Sequence, residues 1–464
     1  MPEPTRLVYL SAAHKSSGKT VVAVGLVRAL RRRGLSVQPL KKGPDYIDPM
    51  WLGRAAGRPC RNLDFHTQAP DEIRTAAGTD ADVALVEGTK GLHDGVAADG
   101  ADSNAALARL LGAPVVLVLD TRGMTRGVAP LVQGLAGFEP DVPVAGVILN
   151  RVAGARHEAK LRRALETYTA VPVLGAVAED PRLRIPERHL GLVPAEEHGA
   201  AEDAVQRMAD AVERGVDLEA LLAAAAPVPR RAPPPRPLPS CSAVRIGVAR
   251  DAAFGFYYPD DLEALERAGA RIVPFSPLRD ARLPEVDALF IGGGFPETHL
   301  EALAANAPLR HEIRTAILER GLPAYAECGG LMYLARAIAW RGTRAPMCGV
   351  IPATARMHGR PVGRGYGRLR ETAAAPWPRL GDGPGEIPVH EFHYSALVDL
   401  PPATLCAYEV VRGTGIGGGR DGIVVRNLLA CYAHQRHTRA NPWVQRFLAF
   451  VRARAAAASR RSAP

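Results

Sequence analysis

Short apolar runs alternate with amphipathic stretches through the first half of the chain. The runs are continuous and bounded by turn residues, at positions 7–11, 83–86, 115–120 and 144–150. Runs of this kind are typical of strands buried on both faces of a parallel sheet. Between them, apolar residues recur at helical spacing in residues 19–33, 104–111 and 158–168. The alternation predicts an open α/β domain with a parallel sheet.

The second half begins with the same alternation and then changes. Strands are predicted at residues 244–249, 288–291 and 323–326, and helices at residues 260–268 and 309–320. After Gly349 the apolar segments become shorter and more β-like, as in residues 394–397 and 423–427. We therefore expect a second α/β domain that ends in shorter β-strands.

A proline-rich segment separates the two halves. Seven prolines lie between Pro227 and Pro239. Because proline fixes φ and removes a backbone donor, this segment suits neither a helix nor the interior of a sheet. The predicted organisation is a first domain at residues 1–225, a linker at 226–243, a second domain at 244–452 and a frayed basic tail at 453–464.

Composition narrows the classes of function. Of the 464 residues, 47% are apolar and 23% are charged, which is ordinary for a globular protein. No apolar run reaches the roughly 18 residues of a membrane span, and the first strand follows without a basic and apolar leader, so a cytoplasmic protein is expected. The six cysteines form no CxxC pair, which disfavours a disulfide framework or a zinc cluster. The net charge of +10 comes from widely spread arginines, so nucleic acid is not an expected partner.

A phosphate-binding loop is predicted where the first strand meets the first helix. The end of the GxxxxGK[ST] pattern is matched by Ser16, Ser17, Gly18, Lys19 and Thr20. Ala13 stands where the pattern has its first glycine. Backbone N–H groups at a helix N-terminus attract anions. We expect Lys19 to reach the β- and γ-phosphates of a bound nucleotide, and the Thr20 hydroxyl to join a Mg²⁺ shell.

Two acidic segments follow further strands of the first domain. Asp45 lies in a loop after residues 37–40, and Glu87 directly follows residues 83–86. Ligands of open α/β sheets bind beyond the carboxyl ends of the strands, and Mg²⁺ prefers one or two carboxylates together with phosphate oxygens. We therefore expect Thr20, Asp45 and Glu87 to hold Mg²⁺.

A thiol nucleophile is predicted in the second domain. Cys328 lies in a Glu-Cys-Gly-Gly turn between an apolar strand and a helix, which is the arrangement of a nucleophile elbow. A helix N-terminus also favours the thiolate form of cysteine. Gly293 and Gly294 follow another strand, and with Gly329 they are candidates to let a substrate approach the thiol and to bind its oxyanion.

A thiol nucleophile requires a base. His434 is the expected base, and His437 is the alternative, because the sequence alone does not decide which imidazole faces Cys328.

Four segments together resemble the cobyrinic acid a,c-diamide synthase family. They are residues 17–20, 42–49, 87–95 and 327–330. The resemblance covers nearly the whole chain and includes residues 146–152 and 390–395. It implies a P-loop domain like that of dethiobiotin synthetase, followed by a class I-like glutamine amidotransferase domain.

The resemblance also implies a reaction. Glutamine is hydrolysed at Cys328, ATP and Mg²⁺ convert a carboxylate into an acyl phosphate, and ammonia then displaces phosphate. The implied substrate is an anionic tetrapyrrole, cobyrinic or hydrogenobyrinic acid, amidated on its a and c acetate groups in cobalamin biosynthesis. A homodimer is left open. The residues that match the family's substrate and catalytic loop are Tyr46, Ile47, Asp48, Glu87 and Asp94.

Departures from the family pattern keep other tetrapyrroles open. Arg436 stands two residues after His434, where the family usually has a second histidine. Thr89, Lys90 and His93 replace an apolar pair and a tyrosine. Because the last three border the predicted substrate loop, sirohaem and a nickel tetrapyrrole are alternative substrates.

Two functions of other classes also compete. A partition-type DNA-binding ATPase would use the phosphate loop and the positive charge, but it would have no use for Cys328. A stand-alone glutaminase would not need the intact phosphate-binding residues 18–20.

Overall fold

The computed structural model describes residues 3–188, 191–195, 197, 199–231, 244–379 and 385–461. Most of the predicted linker, residues 232–243, and the end of the predicted tail, residues 462–464, lie outside the described residues. The described residues form two compact units. The first holds those of Met1–Phe65 and Ala69–Pro234, and the second holds those of His66–Gln68 and Pro235–Pro464.

The first unit alternates strands and helices. Its strands are β1 (Thr5–Ala12), β2 (Val37–Lys42), β3 (Arg61–Leu63), β4 (Val83–Glu87), β5 (Val115–Asp120), β6 (Val144–Val152), β7 (Val173–Ala178), β8 (Glu187–Arg188), β9 (Gly191–Leu192) and β10 (Ala226–Val228). Its helices are α1 (Lys19–Arg32), α2 (Ile47–Ala56), α3 (Pro70–Ala77), α4 (Asn104–Leu111), α5 (Val128–Phe138), α6 (Ala155–Tyr168), α7 (Ala201–Gly215) and α8 (Leu218–Ala224), with a 3-10 turn at Pro181–Leu183.

The main sheet of the first unit has the strand order β3-β2-β4-β1-β5-β6-β7. All of these strands run parallel, which confirms the predicted parallel sheet. Since β2, β4 and β1 are neighbours, the loops at their carboxyl ends lie together at one edge of the sheet. This edge carries the phosphate loop and both predicted acidic segments.

Apolar side chains cover both faces of this sheet. Val8 and Leu10 of β1 pack into a core with helices α1, α2, α7 and α8. Leu7 and Tyr9 point to the opposite face and pack with helices α3 to α6. The period of two along β1 therefore separates two helical layers, as in a doubly wound α/β fold.

The linker prediction is wrong for its first residues. Strand β10 pairs antiparallel with the start of β1, where Thr5 lies opposite Val228 and Leu7 opposite Ala226. Strand β5 pairs with β1 only from Tyr9 onwards, so the first residues of β1 have room for another strand. A short pairing segment at the margin of a sheet tolerates proline, which a central strand does not.

The second unit has more strands in its C-terminal part. Its strands are β11 (Val244–Ala249), β12 (Ala270–Phe275), β13 (Ala288–Ile291), β14 (Ala324–Glu327), β15 (Ala335–Trp340), β16 (Thr343–Pro346), β17 (Ile351–Met357), β18 (Gly363–Glu371), β19 (Glu386–His393), β20 (Ser395–Val398), β21 (Cys406–Arg412), β22 (Arg420–Val425) and β23 (Leu428–Cys431). Its helices are α9 (Pro259–Arg267), α10 (Leu300–Ala305), α11 (Ala307–Leu318), α12 (Gly329–Leu334) and α13 (Trp443–Arg461), with a 3-10 turn at Pro296–His299.

The large sheet of this unit has the order β12-β11-β13-β14-β23-β22-β21-β18-β19. The first five strands run parallel and the last four are antiparallel. A smaller sheet has the order β16-β15-β17-β20. Helices α10 to α12 cover one face of the large sheet, and α9 and α13 cover the other. The parallel part places the ends of β14 and β23 side by side.

The predicted frayed tail is also wrong within the described residues. Helix α13 continues without a break from Trp443 to Arg461. Residues 455–458 are all alanine, the residue with the highest helix propensity, so the helix extends beyond its packed part.

Across the described ranges, no helix combines the length and the apolar character that crossing a membrane would require.

Candidate active site

Two side chains of strand β6 hold the phosphate loop by hydrogen bonds to its carbonyl groups. Asn150 donates from Nδ2 to the carbonyl of Ser17 at 2.9 Å, and Arg151 donates from Nη1 to the carbonyl of Ser16 at 3.0 Å. The loop contains two residues with positive φ, Ser16 at 66° and Gly18 at 86°. This backbone leads directly into α1, whose first N–H groups face the anion position.

Gly18→Ala should damage this loop by two separate effects. The left-handed backbone costs an alanine about 1 kcal/mol, and the added Cβ would lie 2.1 Å from Nδ2 of Asn150. We expect a lower melting temperature and, because about 1.4 kcal/mol equals a factor of ten, at least about tenfold weaker ATP binding by calorimetric titration. Gly112→Ala is the matched control, since Gly112 has φ of 63° and nothing within 4 Å of its added Cβ. Equal ATP affinity in both variants would contradict the steric argument.

The side chains of Lys19 and Thr20 point to the carboxyl ends of the neighbouring strands. Lys19 donates from Nζ to the carbonyl of Lys90 at 2.6 Å. Burial, and then the nearby charge of Lys41, lower the pKa of Lys19 to about 8. Thr20 donates from Oγ1 to Oε1 of Glu87 at 2.7 Å. The loop, one ammonium group and one carboxylate therefore converge beyond β1 and β4.

One carboxylate oxygen of Glu87 makes no hydrogen bond within the described residues. The residue is fully buried, and burial raises its pKa. Its Oε2 has no hydrogen-bond partner among the described residues. A buried acceptor without a donor is costly, and a divalent cation beside the Thr20 hydroxyl would satisfy it. Within the described part of the chain, no group of three or more His, Cys, Asp or Glu side chains is arranged to hold a metal ion.

Asp45 is engaged differently from the sequence prediction. Its Oδ1 accepts the backbone N–H groups of Ile47 at 2.8 Å and Asp48 at 3.2 Å, so it caps the start of α2. Burial and the neighbouring Asp48 raise the pKa of Asp45 to about 7. Its role as a metal ligand stays a prediction.

Lys41 is one of the residues that the sequence analysis missed. Its Nζ lies 2.6 Å from Oδ2 of Asp48 and 3.2 Å from Oε1 of Glu87, and its side chain is only 2% exposed. Burial acts to lower the pKa of Lys41, but Asp48 and Glu87 outweigh it and raise the value. In return, burial raises the pKa of Asp48, but Lys41 outweighs burial and the net shift is downward. The sequence did contain a signal for Lys41. A lysine at the end of a buried parallel strand requires a charged partner, so a nearby carboxylate could have been predicted.

The other predicted substrate residues have varied surroundings. Asp94 accepts the N–H of Gly91 at 2.9 Å, and its charge acts on Lys19. Ile47 packs partly buried against the α1 side of the core. Tyr46 immediately precedes α2 and occupies its N-cap position.

The three departures near the substrate loop have structural roles. Thr89 donates from Oγ1 to the carbonyl of Lys42 at 2.7 Å. Lys90 has a positive φ of 62° and supplies the carbonyl that Lys19 binds. The ring nitrogens of His93 lie 2.9 Å from the carbonyl of Leu135 and 3.1 Å from Oε1 of Glu139. The side chains of Thr89 and His93 and the carbonyl of Lys90 are thus engaged within the first unit.

Cys328 occupies a strained elbow in the second unit. It lies between β14 and α12 with φ 46° and ψ −102°, and its N–H donates to the carbonyl of Cys431 at 2.8 Å. A non-glycine residue in this region is strained and is characteristic of functional turns. Cys328 as a residue is only 7% exposed, so it lies in a nearly closed site.

Glycines leave space beside the thiol. A Cβ on Gly329 would lie 2.9 Å from the N and O atoms of Gly294, and a Cβ on Gly293 would lie 2.6 Å from Cε1 of His434. The structure therefore brings all three predicted glycines to the Cys328 turn. Side chains at these positions would close the space where a substrate carbonyl approaches.

His434 follows the end of β23 by three residues and lies beside Cys328. Its Nδ1 is 3.1 Å from Oε2 of Glu327. Burial acts to lower the pKa of His434, but hydrogen bonds to Cys328 and Glu327 outweigh it and raise the pKa to about 10. The alternative, His437, instead donates its backbone N–H to Asp261 at 2.9 Å.

Asp421 and His390 fix the backbone around His434, and the sequence analysis had singled out neither. Asp421 accepts the N–H groups of Tyr432 and Ala433, each at 3.0 Å. His434 donates its N–H to the carbonyl of His390 at 2.7 Å. An Asp-Gly pair in the sequence indicates a turn, so Asp421 gave no signal of this role.

Comparisons with known proteins match a different family model to each half of the chain. Residues 12–193 match the CobQ/CobB/MinD/ParA nucleotide binding domain, and residues 245–442 match the CobB/CobQ-like glutamine amidotransferase domain. A solved glutamine amidotransferase structure covers 44% of this chain and 98% of its own, at 21% identity and a TM-score of 0.33.

Two curated relatives match over almost their full lengths. The cobyrinate a,c-diamide synthase of Magnetococcus marinus is 46% identical over 98% of this chain and 99% of that protein. The cobyrinate a,c-diamide synthase of Methanosarcina acetivorans is 39% identical over 92% of this chain and 91% of that protein. The predicted pair of domains is confirmed, and the chain belongs to the cobyrinate a,c-diamide synthase family.

Proposed function

We propose that this chain is a glutamine-dependent ligase that amidates the a and c acetate carboxylates of cobyrinate or hydrogenobyrinate with ATP. One observation carries the proposal. A chain that matches cobyrinate a,c-diamide synthases from end to end holds a phosphate loop next to Glu87 and an elbow cysteine next to His434. A partition ATPase would need only the first site, and a glutaminase only the second.

The second unit supplies ammonia. His434 takes the proton of Cys328, and the thiolate attacks the carboxamide carbon of glutamine. The tetrahedral oxyanion forms in the space left by Gly293, Gly294 and Gly329. Ammonia leaves with the proton from His434, and water then hydrolyses the thioester to release glutamate.

The first unit activates the carboxylate. Backbone N–H groups of the phosphate loop and the Lys19 ammonium bind the phosphates of ATP. A substrate carboxylate oxygen attacks the γ-phosphorus, giving an acyl phosphate and ADP, and ammonia then displaces phosphate at the acyl carbon. Without activation, a carboxylate at neutral pH is an anion with no leaving group, so ammonia cannot displace an oxygen from its acyl carbon.

Magnesium fits this proposal through Thr20 and Glu87. The buried, unpartnered Oε2 of Glu87 suits a hard cation that keeps most of its ligands from phosphate and water. When bound, Mg²⁺ would neutralise charge on the β- and γ-phosphates. Nζ of Lys41 lies 3.2 Å from Oε1 of Glu87, the same oxygen that accepts from Thr20, which leaves Oε2 for the cation.

Substrate contacts are assigned to the loop residues around this centre. Asp94 lies within electrostatic reach of Lys19, and Asp48 is fixed by Lys41, so both border the place where the carboxylate is activated. Tyr46 at the N-cap of α2 is assigned to the macrocycle. Ile47 packs on the core, which leaves it a supporting position under the loop. A cytoplasmic location and a homodimer stay predictions.

Mass spectrometry of the product tests the substrate. The purified protein is incubated with ATP, Mg²⁺, glutamine and one tetrapyrrole, either cobyrinate, hydrogenobyrinate or sirohaem. Each amidation replaces OH by NH2, and we expect this mass change to occur twice on cobyrinate or hydrogenobyrinate and not on sirohaem. A change on sirohaem alone would replace the substrate assignment, and no change on any of the three would contradict the tetrapyrrole itself.

A further inference from the structure

The carboxylate that faces His434 comes from the strand of the nucleophile itself. Glu327 is the last residue of β14 and directly precedes Cys328. Its Oε2 lies 3.1 Å from Nδ1 of His434, and both side chains are nearly inaccessible, 4% and 3% exposed. A buried pair in such contact fixes the orientation of the ring.

The second oxygen of Glu327 is fixed as well. Its Oε1 accepts the backbone N–H of Gln435 at 2.9 Å and the hydroxyl of Tyr325 at 2.5 Å. Hydrogen bonds to a carboxylate stabilise its charged form and restrict its rotation. The carboxylate is therefore held in one orientation, with Oε2 directed at the imidazole.

No Asp or Glu follows His434 in the sequence, so no acidic side chain from that segment can take the role of Glu327. Arg436, two residues later, is 2% exposed, lies 3.0 Å from Asp260 and stacks over the ring of Tyr258 at 5.0 Å. Gln435 donates its side-chain amide to the hydroxyl of Tyr408 at 3.0 Å. These side chains are engaged away from the His434 ring.

We propose that Glu327 is the positioning residue of the glutaminase site, and that it holds His434 toward Cys328 and stabilises the imidazolium. With Nδ1–H donated to Glu327, the other nitrogen, Nε2, is left to take the thiol proton. The proton moves from Sγ of Cys328 to Nε2. The negative thiolate, the positive imidazolium and the negative Glu327 carboxylate then form a line of alternating charges. This role rests on the proposed glutaminase step and not on the identity of the tetrapyrrole.

Other titratable groups face this line of charges. The backbone partner His390 lies close enough to act electrostatically on His434. The titratable groups on which the Glu327 charge acts include Tyr257, Asp261, Tyr325 and Cys431. Burial raises the pKa of all four, so the tyrosines and Cys431 stay neutral near neutral pH. Among the groups named here, Glu327 places a carboxylate oxygen 3.1 Å from Nδ1 of the His434 ring.

The test is the pH dependence of Cys328 alkylation by iodoacetamide in Glu327→Gln. The amide keeps the size of the side chain but removes its charge, so the thiolate–imidazolium pair loses stabilisation. We expect the midpoint of the alkylation profile to rise by about one to two pH units. Glutaminase kcat should fall by about 100-fold or more, while ammonia-dependent amidation stays within twofold. Cys328→Ser measures the alkylation of the other cysteines.

Two further variants separate positioning from folding. Glu327→Asp keeps the charge and should keep the alkylation midpoint, although its shorter side chain lowers kcat. Tyr325→Phe removes one donor to Oε1 and should shift the midpoint part of the way, which provides the test if Glu327→Gln does not fold. An unchanged midpoint in Glu327→Gln, or in Tyr325→Phe where that variant replaces it, would overturn the proposal. So would an equal loss of ammonia-dependent amidation. Because alkylation and glutamate release need no tetrapyrrole, a wrong substrate assignment would leave both readouts intact.

Discussion

Cys328→Ser should abolish glutamine-dependent amidation and leave amidation with free ammonia. The thiol stands in the strained elbow beside His434, and a serine hydroxyl there is a far weaker nucleophile at neutral pH. Loss of a nucleophile costs about 10⁴-fold or more in kcat. The first unit keeps its phosphate loop in this variant, so ammonium salts should restore turnover, measured as ADP release and as product mass.

Cys406→Ser is the matched control for this experiment. Cys406 is also buried and free, but its Sγ has only a weak contact of 3.7 Å to the carbonyl of Thr404. It should keep both activities. If Cys328→Ser, still folded by circular dichroism, lost both activities to the same degree, the separation into two sites would be contradicted.

Lys19→Ala should remove ATP-dependent amidation with either nitrogen source. Its ammonium group lies at the end of the phosphate loop. Burial lowers the pKa of Lys19 to about 8, and an anionic phosphate beside it would stabilise the charged form. Without it the γ-phosphate loses a charge-assisted bond, and we expect ADP release to fall by about 10²- to 10³-fold. Glutamine hydrolysis by Cys328, measured as glutamate, should continue.

Lys160→Ala controls for the general loss of a positive charge. Lys160 is exposed on α6 and should leave both activities unchanged. Wild-type turnover with ammonia in Lys19→Ala would show that ATP binds elsewhere. Together with Cys328→Ser, the two variants give opposite patterns: one loses only the glutamine supply, and the other loses only the use of ATP.

The order of strands and helices was largely readable from the sequence. Continuous apolar runs gave β4, β5 and β6, and the helical period gave α1, α4 and α6, because each element must bury its own apolar face. The prediction was wrong at 226–228, where β10 pairs with β1, and at 453–461, where α13 continues. In both cases the surroundings outweigh the local sequence pattern. Strand β1 has free pairing positions for residues 226–228, and an alanine run extends the packed helix α13.

The two predicted chemical centres could be located from the sequence alone. The phosphate loop and the cysteine elbow are contiguous motifs, in which the turn, the helix start and the reactive side chain are neighbours along the chain. Local backbone geometry then suffices to predict the chemistry, so residues 16–20 and Cys328 could be predicted without any tertiary contact.

The groups that support these centres could not be read from the sequence and become visible in the fold. Asn150 binds the loop from 133 residues away, and Glu327 meets His434 across 107 residues. Lys41 joins Asp48 to Glu87, while Asp45 caps α2. Such contacts depend on which strands become neighbours in the sheet. A buried charge takes whichever partner the fold brings within reach, and a single sequence does not record that choice.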